Sequence, residues 1–463
     1  MNHPGAPNWL ATLRAEHEAL VSEYRIPGLA ATVFTPEGTL YEGLYGVRNE
    51  AGKPITGDTR FGIASITKSF TALAVLQLAS QGKLSVSDPV TLYLPELTAF
   101  TAGTPTVADF MKHTSGLPPT PTMPLARAAS QEGDPVTGGE ATQDVPPLTT
   151  MVELMEWLNA HTTPHAKPGE WLSYSNDAFV LLGEIVTRVS GMPFETWVET
   201  HIAGALGMSR TTFDLQTVLA DENTTTLYAM HDGAVVPSPT WQEAPPYTGG
   251  GALRSTMNDL TKYVRALMDL ENAPLGVTPE LANQMRSALA YIAPNTYYGY
   301  GLQVNAPHHG VSLIGHGGSL KGVSSYIGYS PQLGIGGVVL SNIAGLPSER
   351  LWLSGINAYI GAPLGYGSFV PKPYPVSVAT VSELVGTYRS GEPWGIAELT
   401  LTPEKHLHAK IGNPPEEGEV MFVGEDNAAV LLPTGPARLG VLRDVAGRIV
   451  AIRLGLRVLP REG

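Results

Sequence analysis

The stretch Thr59-Arg-Phe-Gly-Ile-Ala-Ser65-Ile-Thr-Lys68-Ser-Phe70-Thr-Ala-Leu-Ala-Val-Leu-Gln-Leu-Ala79-Ser-Gln-Gly82 carries the most hydrophobic helical pattern of the chain. From Phe70 to Ala79 only Thr71 and Gln77 are polar, and a helix apolar on nearly every side is a buried one. Gly82 supplies the residue type that commonly ends such a helix. Ser65 and Lys68 stand three apart, on one helix face and within side-chain reach. Lysine is almost never buried without a partner, and exclusion of water lowers its pKa by disfavouring the ammonium. An amine tuned in that way can take the proton of a serine hydroxyl and turn it into a strong nucleophile. The competing reading makes Ser65 a helix start and lets Lys68 snorkel to the surface. The tetrapeptide alone leaves both open.

Length and composition narrow the frame. A chain of 463 residues exceeds one ordinary core and predicts two or three domains. A net charge of −14 argues against nucleic-acid and anionic-membrane surfaces, which require basic patches. No run of eighteen apolar residues offers a membrane span. The first residues, Met1 to Leu10, lack the basic-then-apolar pattern of a signal peptide. The expected location is therefore cytoplasmic, unless the chain is a processed form. With no cysteine there is no disulfide, thiolate metal site or cysteine nucleophile. No metal or cofactor is expected.

Outward from the central helix, residues 8–25 have amphipathic spacing that ends at Pro27-Gly28, and 29–34 and 40–47 read as strands joined at Pro36-Glu-Gly38. Downstream, residues 107–117 form a short helix and turn. Pro118 to Thr149 is rich in Pro, Thr and Gly and reads equally as a lid or a passive insert. Helices follow over 150–162, 178–190 and 193–206. Another begins at Thr256, where Thr256-x-x-Asp259 fits a capping box. After Tyr297 the pattern turns to apolar runs bounded by glycine, at 300–304, 310–315, 323–329 and 334–340, then a closing helix at 349–361. The predicted fold is α+β: an antiparallel sheet built by the two chain ends, flanked by helices, with a mostly helical lobe between them over residues 1–370. Pro371-Lys-Pro-Tyr-Pro375 marks a linker over 371–379. Short alternating strands over 380–463 predict a small all-β barrel.

Three short sites carry possible chemistry: Ser65-x-x-Lys68, Tyr174-Ser-Asn176 between a Pro-Gly turn and a helix, and His316-Gly317-Gly318 followed by Ser319 beside an apolar strand. Each has a plain alternative. Tyr174 could be a boundary tyrosine, Asn176 a helix cap, His316 a satisfied strand-end histidine. Their order, however, resembles the S-x-x-K, Y-x-N, H/K-x-G series of the serine β-lactamase and penicillin-binding-protein superfamily. The resemblance is to the branch with class C β-lactamases, family VIII carboxylesterases, D-aminopeptidases and S12-type peptidases. Phe61-Gly-Ile-Ala-Ser-Ile-Thr-Lys68, His113-Thr-Ser-Gly-Leu117, Pro168-Gly-Glu170 and Gly249-Gly-Gly-Ala-Leu-Arg-Ser-Thr256 support it, over residues 8–365.

The resemblance implies a β-lactamase/transpeptidase-like fold and a serine hydrolase that works through an acyl-enzyme. Ser65 would be the nucleophile, with Lys68 or a Tyr174 phenolate as base. Tyr174 would protonate the leaving group, and Asn176 would bond the substrate amide or Lys68. The backbone N–H groups of Ser65 and Ser319 would form the oxyanion hole. Gly317 and Gly318 would leave a bare strand for substrate to approach. His316-Gly-Gly stands where class C enzymes have Lys-Thr-Gly, which makes His316 a substrate-binding residue by hydrogen bond, although a neutral histidine anchors a carboxylate poorly. This implies small esters or D-amino-acid peptides and amides as substrates, with weak β-lactam hydrolysis at most. Lys321 is a nearby partial substitute or merely a solvated lysine. The C-terminal module resembles lipocalin-like domains that overhang the cleft in such relatives, and a stabilising or dimerising role stands beside that. The partners implied are small molecules, with no nucleic acid or membrane, and the oligomeric state is open. A penicillin-recognising sensor with a blocked cleft is the alternative function. An α/β-hydrolase is excluded because G-x-S-x-G is missing, and a zinc hydrolase because H-E-x-x-H is missing.

Overall fold

In a computed structural model, residues 7–127, 147–392 and 394–462 are described. Among them, eight strands form one antiparallel sheet: β1 (Gly28–Phe34), β2 (Thr39–Gly46), β3 (Ala290–Ala293), β4 (Thr296–Tyr298), β5 (Gln303–His308), β6 (Val311–Leu320), β7 (Val323–Ser330) and β8 (Ile335–Ser341). Their order is β2-β1-β8-β7-β6-β5-β4-β3, so the two ends of this part of the chain meet at the β1–β8 pair, Leu29 opposite Ser341. Every residue of β1, β7 and β8 is buried, because the sheet is covered on both faces. The period of two divides them. Leu29, Ala31, Val33 and Val339 pack under α1 (Trp9–Glu23) and α5 (Ser348–Ile360). Ala30, Phe34, Val338 and Leu340 join the larger core that holds α2 (Thr67–Ser80), α3 (Asn176–Ser190) and α4 (Met257–Met268). The expected α+β layout is present.

Several expectations change in detail. Strands β3 and β4 lie before Tyr297 or across it, ahead of the point where the sequence pattern turns to strands. The run expected to end at Gly315 continues to Leu320, so His316-Gly-Gly lies inside β6. The helix expected over 193–206 is Phe194–Val198 followed by a π-helical turn, Glu199–Gly204. Only half of the Thr256 capping box forms. Thr256 accepts from the Asp259 N–H, while the Asp259 carboxylate turns to the Arg210 N–H at 2.8 Å and Lys262 at 2.9 Å. Of the Pro118–Thr149 segment read as lid or insert, residues 128–146 lie outside the described residues, and Thr122–Arg127 is a short helix.

Residues 386–460 form a second antiparallel sheet of eight strands in sequential order: β9 (Gly386–Arg389), β10 (Ile396–Leu401), β11 (Leu407–Ile411), β12 (Glu416–Gly424), β13 (Asn427–Leu432), β14 (Gly435–Arg443), β15 (Ile449–Leu454) and β16 (Arg457–Pro460). Tyr388 bridges to Arg461, and the Glu462 N–H donates to Thr387 O at 2.8 Å, closing the barrel. Alternate residues fill it, among them Tyr388, Leu399, Ala409, Val430 and Ile452. The barrel is an up-and-down one, as the lipocalin-like reading expects. A helix, Val378–Glu383, begins inside the stretch read as linker, and the Tyr374 N–H before it donates to Phe422 O at 2.8 Å.

The barrel is fastened to the first unit beside the Tyr174 motif. The Tyr174 N–H donates to Leu456 O at 2.8 Å, and the Val458 N–H to Ser173 Oγ at 3.3 Å. Arg453 donates to Ile292 O. Among the described residues no helix is long and apolar enough to cross a membrane.

Candidate active site

Ser65 sits in a 3₁₀ turn, Ala64–Ile66, that runs directly into α2. The turn is held from both sides. The Ile63 N–H donates to Leu253 O at 3.1 Å, the Thr67 hydroxyl to Ala64 O at 2.7 Å, and the Leu253 N–H to Thr67 Oγ1 at 3.2 Å. Ala64 has φ +48, a conformation non-glycine residues rarely adopt and one that gathers at functional sites. The first N–H groups of a helix have no acceptor within it, so this turn leaves N–H groups available beside the Ser65 hydroxyl.

Lys68 is fully buried, so the snorkelling reading fails. Its Nζ donates to Ser65 Oγ at 3.2 Å and to Gly250 O at 2.5 Å, over the rings of Tyr174 and Phe179 at 5.0 and 5.8 Å. Burial holds its pKa well below the usual lysine range. The positive charge of Arg457 lowers it further, and Asp177 opposes. The Tyr174 hydroxyl bonds Ser65, and burial pushes its pKa up to about 12 against the pull of that bond and of Arg457. The two groups are thus set apart: an amine disposed to be neutral and a phenol that keeps its proton.

The Tyr-Ser-Asn loop is fixed by His113, from the His113-Thr-Ser-Gly-Leu run. Its fully buried ring accepts the Ser175 N–H at Nδ1 at 3.1 Å and lies tilted against the Tyr174 ring, centroids 4.1 Å apart. The proton therefore sits on Nε2. Ser175, rather than Asn176, caps α3, accepting from the Ala178 N–H at 3.1 Å, because only its side chain precedes the first helical residue. Asn176 is left facing the cleft, its Nδ2 3.8 Å from Met123 Sδ; Lys68 bonds Ser65 and Gly250 instead.

Strand β6 supplies the opposite wall. Its pairing with β5 ends at Gly315, so residues 316–320 have no strand on that edge, among the described residues. His316 is 2% exposed and lies behind the cleft. Its Nδ1 is 2.6 Å from Gly317 O, which only accepts, so the proton is on Nδ1 and Nε2 accepts from the Tyr298 hydroxyl at 2.8 Å. Burial and the neighbouring Lys68 lower its pKa to about 3. The space over Gly318 is also taken from within. A Cβ there would stand 2.2 Å from Ile63 O and 2.4 Å from Ser325 Oγ. The glycine at 318 thus admits the turn that carries Ser65, while the edge of the strand beyond Gly315 is left bare. Gly318→Ala therefore costs about 1–3 kcal/mol by overpacking. It also moves Ser65 off the strand, and thermal unfolding together with an ester assay checks both. Lys321 is half-buried and donates to Thr240 O at 2.6 Å, so it is neither merely solvated nor aimed into the cleft.

These walls enclose a cavity of about 200 Å³, lined by Ser65, Tyr174, Asn176, Ser319, Trp394 and Arg457 among others. The last two come from the barrel. Arg457 opens β16 and is the one charged residue among those lining the cavity, of the described residues. Its guanidinium lies 4.4 Å over the Tyr174 ring, and its Nε donates to the buried Glu392 at 2.8 Å. No sequence signal pointed to it.

A Ser-Lys-Tyr cluster, its lysine and tyrosine buried, stands between a helix start and the exposed edge of an antiparallel sheet, an arrangement that fits a serine hydrolase. The Beta-lactamase family profile matches residues 13–355, and the chain belongs to that family. Protein flp of Staphylococcus aureus is 27% identical over 293 residues, covering 62% of this chain and 53% of that protein, so the chain spans about half its length. An octameric penicillin-binding protein homologue from Pyrococcus abyssi matches at 26% identity and a TM-score of 0.69, over 98% of this chain and 99% of that one. A D-stereospecific amidohydrolase from Streptomyces sp. matches at 26% identity and a TM-score of 0.61, over 76% and 99%.

Proposed function

We propose that the protein is a serine hydrolase that cleaves small amides or esters bearing a carboxylate, D-amino-acid peptides foremost, through an acyl-enzyme on Ser65. The observation that carries this reading is Arg457, a barrel arginine beside Ser65 and Tyr174 in a family whose third motif here has lost its lysine. Arg457 supplies the cation that His316, neutral and bonded to Tyr298, does not. A guanidinium suits a carboxylate better than an ammonium does, since it offers paired donors. The D-stereospecific amidohydrolase among the similar structures agrees with the substrate class.

Chemistry follows from the two separated proton affinities. Ser65 Oγ attacks the carbonyl carbon while neutral Lys68 takes its proton. The backbone N–H groups of Ser65 and Ser319 hold the oxyanion. Tyr174 gives its proton to the departing nitrogen or oxygen as that bond breaks, and recovers it from the Lys68 ammonium. Water then cleaves the Ser65 ester along the reverse path. Asn176 faces the substrate amide. The burial of Lys68 favours it over a Tyr174 phenolate as the base, because the phenol's pKa is raised, not lowered.

The test is a matched pair, N-acetyl-D-alanyl-D-alanine and its C-terminal amide, assayed with the natural chain and with Arg457→Ala. The natural protein prefers the free acid in kcat/KM by about 30-fold or more, the scale of losing one partner of a buried charge pair. In Arg457→Ala the ratio falls towards one. An unchanged ratio would remove the carboxylate from the proposal.

A further inference from the structure

Asp177, directly after Tyr174-Ser-Asn176, and the Tyr247-Thr-Gly-Gly-Gly251 run take no part in the chemistry above, yet they meet beneath the cleft. Asp177 is 2% exposed and accepts from Thr120 Oγ1 at 2.5 Å, Thr122 Oγ1 at 2.7 Å and the Tyr247 hydroxyl. The Tyr247 hydroxyl also bonds Thr122. Among the described residues no lysine, arginine or histidine forms an ion pair with this carboxylate. Burying a charge on hydroxyl donors alone is costly. What it gathers are three chain segments that build the cleft. Thr122 precedes Met123, Tyr247 itself lines the cavity, and Asp177 lies in the first turn of α3.

The glycines after Tyr247 let that turn lie directly on α3. A Cβ at Gly249 would stand 2.7 Å from Phe179 O, and one at Gly250 3.3 Å from Val180 Cγ2. This close approach places Gly249 O 2.7 Å from Thr71 Oγ1 and Gly250 O 2.5 Å from Lys68 Nζ. We propose that Asp177 is a positioning residue: with Tyr247 and the two threonines it clasps the Tyr247–Gly251 turn to the start of α3. The clasp thereby fixes the Gly250 carbonyl that aims Lys68 at Ser65. The inference rests on the acyl-transfer reading of the site. Asp177 also faces Lys68 as the opposing negative charge. The other groups that face Lys68 are Arg457, His113 and His316, with the Tyr174 ring.

Two variants of the full chain separate aim from charge. Asp177→Asn removes the charge that favours the ammonium, so the acid limb of kcat/KM for a p-nitrophenyl ester moves to lower pH by about 0.5–1 unit. Tyr247→Phe breaks the clasp, keeps the charge and leaves the limb in place. Both lower kcat by roughly 10- to 100-fold, the cost of a misplaced catalytic group, with KM within about threefold of the natural chain. A residue serving only the fold would lower the melting temperature without moving the limb. Fluorophosphonate labelling of Ser65 in the natural chain establishes the acyl-transfer reading separately. Unchanged kcat and an unmoved limb in both variants would overturn the clasp and leave that reading standing. If Asp177→Asn does not fold, Tyr247→Phe decides alone: a fall of about tenfold or more in kcat supports the clasp, and unchanged kcat overturns it.

Discussion

Alanine at Ser65 abolishes turnover, with kcat/KM for a p-nitrophenyl ester falling by at least about 10⁴-fold, in the range found when a nucleophile is removed from a coupled catalytic set. The hydroxyl is the group on which the site converges. Lys68 donates to it at 3.2 Å, Tyr174 bonds it, and the cavity opens onto it. The fold asks little of it. The 3₁₀ turn is held by the hydroxyl of Thr67 and by Leu253, and in the variant Lys68 keeps Gly250 O as acceptor. Ser65→Ala therefore unfolds at close to the temperature of the natural chain while losing its chemistry. Activity that survives together with stability would assign the reaction to another residue.

Lys68→Met is the second large effect, a loss of about 10³- to 10⁴-fold from removing a general base. Methionine matches the length of the lysine stem and brings no charge into a fully buried site. The stability change stays within about 1 kcal/mol, since the lost bond to Gly250 O is offset by the desolvation that the amine no longer suffers. The pH profile carries the same argument. In the proposed mechanism Lys68 acts as base only when neutral, and its pKa lies well below the ordinary lysine range, so kcat/KM is expected to reach its plateau far below pH 10. Tyr174 must stay protonated to serve the leaving group, and its pKa of about 12 keeps it so across the neutral and moderately alkaline range. An acid limb at the ordinary lysine value would mean that Lys68 is solvated during turnover.

What could be read from sequence was what local pattern encodes. The apolar helix was plain from its own residues, the family resemblance carried by the order of the three motifs implied that Ser65, Lys68 and Tyr174 act together, and the alternating strands after Tyr374 gave the barrel. The glycines of the third motif were legible as a place of close approach, but not as to what approaches. Ile63 O fills that space, and the partner lies over 250 residues away in the chain, beyond the reach of any spacing rule. His316 read as a substrate contact because its motif position suggested it; only the Tyr298 hydroxyl, brought alongside by β4, turns it into the wall. Arg457 and Glu392 were invisible for a related reason. Each sits in ordinary barrel sequence, and their meaning arises from how the barrel docks, with Leu456 O on the Tyr174 N–H. Asp177 was within view beside Asn176. Its significance depends on Tyr247 and two threonines that only folding brings to it.

The most direct test of the account is rapid-quench mass spectrometry of the protein mixed with a p-nitrophenyl ester, followed by peptide mapping. The account predicts a burst of p-nitrophenol matched by gain of the acyl mass on the peptide that contains Ser65, absent from Ser65→Ala. Turnover with no acyl adduct, or an adduct on another residue, would contradict it.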